Sequence, residues 1–402
     1  MPCIPDMRII EEKNSVIAEL EGRIDTLNSA SLEEELSQVV SSHPGKALIL
    51  DASGLTYISS MGLRVLHRLR KNLGDRFSVR NTSPEIYEIF RMTGMVELFK
   101  VTRKMRRISV EGCPVIGEGA FGTVYRLDAE TIVKVYRNGE DSLPVIEKEH
   151  RKAREAFVSG VPTAIPFDTV KVGDQYGMVF EMLDARNCND VIASDPSSME
   201  TILELYASFL KKIHSLRLRS GQIVSAGKTY MDKLDLFSRL LKEETLRKVR
   251  SLIQAMPEDL HLVHGDPQLK NIMLTGNNLM AIDMDHMIAG DPVFDFAALN
   301  VTYNLYGEDN PLDSMTFLHL ERKTTLHILE RTLDLYLGET DALEKERILD
   351  RIALVSRLDF LSDMFNDKKD DRSPLRDLRI RHSLEEVERL AYKVDDLRLM
   401  IG

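Results

Sequence analysis

The sequence predicts an α/β domain followed by a larger region that is rich in strands at first and helical afterwards. Three observations lead to this prediction. The chain has 402 residues, more than a single hydrophobic core usually supports, so we expect at least two domains. Short strand patterns alternate with helical patterns from Met7 to about Val101. Strand patterns return from Cys113 to about Asp184, and helical patterns dominate beyond Ser197.

The first region has the patterns of a compact module with one small core. Val16 to Leu20 alternate in polarity like a half-buried strand, and KALILDAS is a short apolar run typical of a fully buried strand. Leu63, Leu66 and Leu69 lie on one face of the predicted helix SSMGLRVLHRLRKNLG, which ends at a glycine. We therefore expect strands and helices to alternate around a single set of buried apolar side chains.

Composition and charge argue against several classes of protein. The formal net charge is −11, which disfavours general affinity for nucleic acid. The basic cluster KVTRKMRR is more typical of a solvated linker. The sequence has no apolar run of about 18 residues and no signal-peptide pattern in MPCIPDMRII, so we expect no membrane partner. The three cysteines are too widely spaced for a disulfide framework, and a cytoplasmic location is expected.

A glycine-rich segment, VIGEGAFGTVYRL, places Gly117, Gly119 and Gly122 in a GxGxxGxV arrangement. Glycines allow the backbone to approach phosphate oxygens and leave amide groups free to bind them. The same spacing occurs in dinucleotide sites, where it opens a helix. Here the β-forming residues Thr123 and Val124 follow, so the segment predicts two strands joined by a turn that covers a nucleoside triphosphate.

The next strand pattern, TIVKVY, carries Lys134 at its centre. A lysine on a strand is commonly an exposed surface residue, but it can also bridge two phosphates while a helix carboxylate holds it. Among the glutamates of PVIEKEHRKAREAFVSG, Glu149 is chosen because it shares a helical side with Ala153 and Ala156, which can pack on a sheet. The strand YGMVFEMLDA then ends in a loop, where backbone groups of Glu181 to Leu183 can hold an adenine edge.

Three polar side chains follow apolar segments farther along the chain. Asp266 follows HLVHG, Asn271 lies five residues later, and Asp283 follows NLMAI. Phosphoryl transfer needs a group that accepts the proton of the nucleophile, a metal that bridges phosphates, and a cation that offsets charge. The proton acceptor can be Asp266, and the cation can be Lys134. The metal can be held by Asn271 and Asp283, whose oxygen atoms suit magnesium. Each residue alone is more typical of structure than of catalysis, whereas the ordered set predicts a phosphotransferase.

These motifs carry a family resemblance. HGDPQLKN, AIDMD and GDPVFDFA resemble the protein-kinase-like superfamily, specifically its aminoglycoside phosphotransferase and choline kinase branch, over residues 113–300. The resemblance implies a two-lobed α+β fold, with a strand-rich N-lobe over residues 113–184 and a helical C-lobe over residues 185–402. It also implies ATP as phosphate donor, with GTP as the alternative, and magnesium as the metal.

The same resemblance implies functions for individual residues. Asp266 is expected to be the catalytic base, and Asn271 and Asp283 are expected to be the metal ligands. Asp295 is expected to give structural support beneath the catalytic loop.

Two departures from protein kinases concern the acceptor. Gly265 stands where protein kinases have the arginine of the HRD motif, and only seven residues separate Asp283 from Asp291. So short a segment leaves no room for the usual activation loop and peptide platform, which favours a small-molecule hydroxyl or amine as acceptor. EGAFGTVY, however, resembles the nucleotide lid of protein kinases, so a protein acceptor stays open.

The first region resembles a second family. GRIDTLNSASLEEEL and LILDASGLTYISSMGLRVL are similar to the STAS, or anti-sigma-factor antagonist, domain. The resemblance implies an α/β STAS domain over residues 1–102, a linker over residues 103–112 and a protein partner for the domain. It assigns a phosphoacceptor to Ser60, at the start of a helix where free amide groups can bind a phosphate. Ser59 stands where many members have aspartate, and either serine can instead cap the helix.

Three functions remain open from the sequence. The first is an ATP- and magnesium-dependent phosphotransferase that acts on a small molecule and is regulated or docked by its STAS domain. The second is a serine kinase that phosphorylates Ser60 or a STAS-like partner. The third is a nucleotide-sensing pseudokinase that signals through STAS contacts. The complete set of Lys134, Asp266, Asn271 and Asp283 argues against the third, and the short segment after Asp283 argues against the second.

Overall fold

The computed structural model describes residues 7–119, 122–218, 223–257, 261–366 and 373–399. Its contacts divide the chain into two compact units, Met1–Ile108 and Ser109–Gly402. Large clusters of buried apolar side chains form separately within each unit. We refer to them as the first unit and the second unit.

The first unit is built on a five-stranded sheet with strand order β1-β2-β3-β4-β5. Its strands are β1 Met7–Glu11, β2 Ser15–Ile24, β3 Ala47–Ile58, β4 Phe77–Thr82 and β5 Lys100–Arg103. β1 pairs with β2 antiparallel, and the other neighbouring strands pair in parallel. The helices are α1 Ser29–Ser42, α2 Ser60–Leu73, α3 Pro84–Met92 and α4 Met95–Leu98.

The core of the first unit explains why these segments form these elements. Central parallel strands are covered on both faces, and β3 accordingly begins with a nearly continuous apolar run. Leu63, Leu66 and Leu69 of α2 are all buried in the same cluster as the apolar side chains of β3. The α/β class predicted for this part of the chain is confirmed.

The first unit ends with the short strand β6 Arg106–Ile108. The second unit begins with a sheet whose strands follow the order β10-β11-β9-β8-β7. These strands are β7 Val115–Glu118, β8 Gly122–Arg126, β9 Thr131–Tyr136, β10 Pro166–Val172 and β11 Gln175–Glu181. Strands β7 to β11 pair antiparallel. Helix α5, Leu143–Val158, packs against β10 and β11 and buries Glu149 together with Ala153 and Ala156. The segment 103–112, which we expected to be a linker, contains strand β6 and the last residue of β5.

The remainder of the second unit is mostly helical, as predicted. Helices α6 to α10 are Cys188–Ser194, Met199–Ser215, Ala226–Phe237, Glu243–Gln254 and Val293–Asn300. Helices α11 to α15 are Tyr306–Glu308, Leu312–Leu318, Arg322–Leu337, Ala342–Asn366 and Pro374–Leu390, and a π-helical turn, Val301–Leu305, precedes α11. Helix α14 is buried along its C-terminal half and packs against α8, α10 and α15, so it forms the centre of this lobe.

Two small sheets interrupt the helices and position the loops of interest. β12 Arg186–Asn187, β14 Ile272–Thr275 and β15 Asn278–Ala281 form one sheet, and β13 Leu262–Val263 and β16 Ile288–Ala289 form the other. The loop that carries Asp266 runs from β13 to β14, and the loop that carries Asp283 runs from β15 to β16. Because β14 pairs with β15 and β13 pairs with β16, the two loops begin and end side by side.

Among the helices that the structure describes, none combines the length and the apolar character needed to cross a membrane.

Candidate active site

Lys134 lies on β9 and contacts two carboxylates. Its Nζ is 2.8 Å from Glu149 Oε1 and 3.1 Å from Asp283 Oδ1. Burial acts to lower the pKa of Lys134, but the neighbouring carboxylates of Asp283 and Glu149 outweigh it, so the pKa is raised. The lysine is therefore a fixed cation between the sheet, helix α5 and the loop that carries Asp283.

Glu149 uses both of its carboxylate oxygens. The second oxygen, Oε2, accepts a hydrogen bond of 2.6 Å from the hydroxyl of Tyr136, which is buried. Tyr136 lies two residues after Lys134, so the two side chains leave the strand on the same face. The period-two strand pattern of TIVKVY was the sequence signal for this contact, and Tyr136 was not predicted from it.

The glycine-rich segment forms the antiparallel pair β7 and β8. The amide of Gly119 donates to the carbonyl oxygen of Gly122 at 3.0 Å, and Gly117 lies within β7. A Cβ atom on Gly122 would lie 2.1 Å from the carbonyl oxygen of Val135 on β9, so no side chain fits there. Close packing between strands is thus a reason for a glycine at position 122, beside the contact with phosphate that the sequence predicts. Residues 120 and 121 lie outside the described residues.

The segment that we assigned to the adenine edge follows β11. The amide of Glu181 donates to the carbonyl oxygen of Ile165 at 3.0 Å, and the amide of Met182 donates to that of Glu130 at 2.7 Å. Both donors are therefore used inside the N-lobe. Leu183, the last residue of the segment, is half-buried.

Asp266 lies in the loop between β13 and β14, just after a glycine in a left-handed conformation. Gly265 has a φ of +85°, and a Cβ atom on it would lie 2.3 Å from the carbonyl oxygen of His286. An arginine at this position, as in protein kinases, would therefore collide with the loop that carries Asp283. The glycine allows the two loops to touch.

The carboxylate of Asp266 receives hydrogen bonds from neutral amides. Gln268 Nε2 lies 3.1 and 2.9 Å from its two oxygens, and Asn271 Nδ2 lies 2.9 Å from Oδ2. Burial raises the pKa of Asp266 above its ordinary value, although the bond from Gln268 opposes that shift. A carboxylate with a raised pKa is a better proton acceptor, which suits a general base. Gln268 was missed from the sequence because glutamine carries no signal of its own.

Buried side chains of the helical lobe support this loop. Asp295, fully buried, accepts hydrogen bonds from the amides of His264 and Gly265 at 3.0 and 2.6 Å, and its Oδ2 lies 2.9 Å from His214 Nε2. Tyr206 donates its hydroxyl to the carbonyl oxygen of Pro267 at 2.5 Å. Asp295 therefore lies where the sequence argument expected a structural support.

Asp283, one of the two expected metal ligands, lies close to two other carboxylates. Asp283 has a φ of +62°, a conformation that is rare outside glycine and is often found at functional sites. Asn271 donates its amide nitrogen to Asp266, so its side-chain oxygen faces elsewhere. Carboxylate oxygens of Glu149, Asp283 and Asp285 lie within 4.8 Å of one another. Hard oxygen donors of this kind fit magnesium.

Asp285 was not among our predicted ligands, although AIDMD contains it. Its buried Oδ1 accepts no hydrogen bond among the described residues, although His286 Nε2 lies 3.3 Å away. Burial raises the pKa of Asp285 to about 6, and Asp283 and Glu149 add to the shift. An unsatisfied buried oxygen beside two other carboxylates is consistent with a cation bound at this position.

A cavity of about 520 Å³ opens beside Asp266. Its lining includes charged side chains from helices far apart in sequence, namely Lys233, Asp313, Asp359, Asp363 and Arg379. Lys233 pairs with Asp359 at 2.5 Å, and Arg379 pairs with Asp313, so both basic groups are neutralised. Within the described residues, Asp363 has no lysine or arginine partner; the hydroxyl of Tyr306 lies 3.5 Å from it. The cavity therefore carries an excess of negative charge.

In the first unit, the two serines at the start of α2 are placed differently. Ser59 is buried, and its hydroxyl accepts a hydrogen bond of 3.3 Å from the amide of Gly62, so Ser59 is the N-cap. Ser60 is the first residue of the helix and is exposed. The capping alternative thus applies to Ser59 and leaves the hydroxyl of Ser60 accessible.

Comparisons with known proteins agree with this division of the chain. A model of the phosphotransferase enzyme family matches residues 112–315, and a model of the STAS domain matches residues 6–107. BtrV of Bordetella bronchiseptica, named as an anti-sigma factor antagonist, is 33% identical over 89 residues, which are 21% of this chain and 76% of that protein. The anti-sigma-F factor antagonist RsfB of Mycobacterium tuberculosis is 29% identical over 66 residues, 16% of this chain and 53% of that protein.

Among solved structures, the GDP complex of wild-type aminoglycoside 2'-phosphotransferase-IIIa is similar, with a TM-score of 0.41 and 14% identity. The similarity covers 76% of this chain and 98% of that chain. The family matches show a phosphotransferase with a STAS domain at its amino-terminal side. The chain belongs to the phosphotransferase enzyme family.

Proposed function

We propose that the second unit transfers the γ-phosphoryl group of ATP, with magnesium, to a hydroxyl or amine of a small cationic molecule. The cavity beside Asp266 carries this proposal. Its volume of about 520 Å³ falls within the range typical of small-molecule sites, roughly 300–1,000 Å³. Asp266 lies on its wall, so an acceptor bound in the cavity reaches the expected base directly.

The other candidate site residues, which do not line the cavity, fit the remaining parts of a phosphoryl-transfer reaction. Asn271 and Asp283, with Asp285 beside them, are the candidates for holding magnesium, which when bound supplies positive charge to the phosphates. Lys134, fixed by Glu149, offsets further phosphate charge. The acceptor attacks the γ-phosphorus, its proton passes to Asp266, and the bond to the bridging oxygen breaks to release ADP.

The charge of the cavity supports a cationic acceptor. The surrounding protein and the neighbouring Asp359 raise the pKa of Asp363 to about 6. The residue is nevertheless exposed, and its side chain is mostly ionised at neutral pH. An ammonium group at this position would pair with Asp363 and relieve its repulsion by Asp359. A neutral alcohol would leave the carboxylate unpaired, and an anionic acceptor would be repelled.

A second candidate is phosphorylation of Ser60, because its hydroxyl is exposed at a helix N-terminus and has no capping role. In either case we propose that the STAS domain regulates the phosphotransferase or docks it to a protein partner. Retention of Lys134, Asp266 and Asp283 in one site disfavours the third candidate, a pseudokinase that only senses nucleotide.

The test measures release of ADP from ATP, and separately release of GDP from GTP, with panels of small cationic, neutral and anionic alcohols and amines. We expect cationic acceptors to be preferred and Asp363→Asn to raise their KM about tenfold through loss of a charge-assisted contact, with kcat little changed. Asp232→Asn, an exposed change on α8, is the matched control. Equal turnover of neutral acceptors by the wild type would contradict a cationic class.

Intact mass after incubation with magnesium and ATP decides between the two candidates. One added phosphate that disappears in both Ser60→Ala and Asp266→Asn would establish phosphorylation of the STAS domain by the chain itself. An unmodified chain that releases ADP only with a small acceptor would support the first candidate.

A further inference from the structure

Lys152 is a buried cation that the proposed reaction does not use. It lies on α5, three residues after Glu149, and is 6% exposed. Its Nζ donates a hydrogen bond of 2.5 Å to the main-chain carbonyl oxygen of Asp285. Burying a lysine is unfavourable, and burial lowers the pKa of Lys152 to about 8. A methionine would fill similar space without this cost, so packing alone does not explain the lysine.

The acceptor of this hydrogen bond belongs to the turn that carries the candidate metal ligands. Met284–His286 is a single 3-10 turn that starts directly after Asp283, the residue with a φ of +62°. Asp283 and Asp285 both present carboxylates from this turn. A bond to the carbonyl of Asp285 therefore restrains both side chains at once, including a residue whose backbone is strained.

Helix α5 thus makes two polar connections to the nucleotide site from adjacent positions on one face. Glu149 connects it to Lys134 on β9, and Lys152 connects it to the turn after Asp283. The first connection positions the cation that neutralises phosphate charge. The second restrains the turn whose carboxylates are the candidate metal ligands.

We infer that Lys152 is a positioning residue that holds the turn from Asp283 to His286 in the geometry needed to bind a metal–nucleotide complex. The inference rests on the proposed function in one respect, that Asp283 holds a metal together with ATP. Groups that orient metal ligands from behind typically contribute about 10- to 100-fold to metal affinity. We expect a similar contribution from Lys152, although it touches neither metal nor nucleotide.

The test is ATP binding by calorimetry on the full chain, with and without magnesium. The ratio of the two dissociation constants measures the gain in ATP affinity that magnesium provides, which we call the magnesium gain. Lys152→Met should reduce this gain about tenfold or more while leaving metal-free ATP binding within about twofold. Lys148→Met, an exposed change on the same helix, should leave both constants unchanged.

Two outcomes would overturn the inference. An unaltered magnesium gain in folded Lys152→Met would show that the turn needs no such restraint. An equal loss of ATP affinity with and without metal would show a general structural role instead. If Lys152→Met does not fold, Lys152→Gln is measured in the same way and must lose part of the magnesium gain. Absence of any magnesium gain in the wild type would instead refute the proposed function, and the inference with it.

Discussion

Two aspartates, the buried Asp51 of the first unit and the half-buried Asp266 of the second, differ in what their surroundings do to them. Asp51 in β3 accepts hydrogen bonds from the amide of Ser53 at 3.0 Å, from Arg80 Nε at 2.9 Å and from Asn81 Nδ2 at 2.7 Å. Within the part of the chain that the structure describes, the side-chain donors to Asp266 in the second unit are neutral amides. Burial acts to raise the pKa of both, but the three donors around Asp51 outweigh it and lower the pKa, whereas the pKa of Asp266 stays raised.

The difference separates a carboxylate that stabilises a fold from one that is available for chemistry. Paired with a guanidinium, Asp51 prefers to stay ionised in the folded state, so it contributes to stability near neutral pH. Asp266 is held in position by amides that do not neutralise its charge. This arrangement lowers the stability of the fold and leaves a group that can take a proton. Functional sites commonly carry such a cost. The same substitution, aspartate to asparagine, should therefore have opposite effects in the two units.

The largest effect is expected for Asp266→Asn. Loss of the proton acceptor should reduce ADP release about 10³-fold while ATP binding changes little, because the phosphate contacts are made by other residues. Removal of a half-buried charge with a raised pKa should leave the unfolding free energy of the second unit unchanged or higher at neutral pH. Steady-state ADP release, calorimetry and urea unfolding monitor these three quantities. Retained turnover would remove Asp266 from the mechanism, and a large loss of stability would mean that Asp266 stabilises the fold as Asp51 does.

The next effect is expected for Asp51→Asn, which should destabilise the first unit by about 2 kcal/mol at neutral pH without changing ADP release. An amide nitrogen in place of an acceptor oxygen would face the donors of Arg80, Asn81 or Ser53. Because the folded pKa of Asp51 lies below its ordinary value of 3.8, this contribution is full above that value and is lost as pH falls through the folded pKa. Amide exchange of β3 peptides at several pH values measures it. A variant whose deficit stays constant down to acid pH would show that Asp51 acts through shape and not charge.

Much of the second unit could be anticipated because its motifs are local. HGDPQLKN and AIDMD each place polar residues within one loop, so their spacing alone predicts which side chains share a site. Lys134 and Glu149 were paired from strand and helix periodicity, and the structure brings their charged atoms to 2.8 Å. The fold class followed from the same periodicities together with the two family resemblances.

What the sequence did not reveal depends on contacts between distant segments. Asp363 reaches the cavity from α14, about a hundred residues after Asp266, and no local pattern distinguishes it from solvated acids in the same helix. Lys152 has the composition of a surface residue in the charged run EKEHRKAREA, and only the packing of α5 on the 3-10 turn shows that it is buried. The support of Asp295 by His214 likewise joins residues 81 positions apart.

The smallest effects concern the two serines at the start of α2. Ser59 is a buried polar group with a structural function, whereas Ser60 is an accessible one. Ser59→Ala removes the hydroxyl that accepts from the amide of Gly62, so it should destabilise the first unit by about 1 kcal/mol, the usual contribution of an N-cap. Ser60→Ala is an exposed change and should alter stability by less than about 0.5 kcal/mol. Urea unfolding followed by amide exchange in α2 measures both. If Ser60→Ala destabilised the helix as much as Ser59→Ala, the Ser60 hydroxyl would have a structural role, and its accessibility as a phosphoacceptor would lose its support.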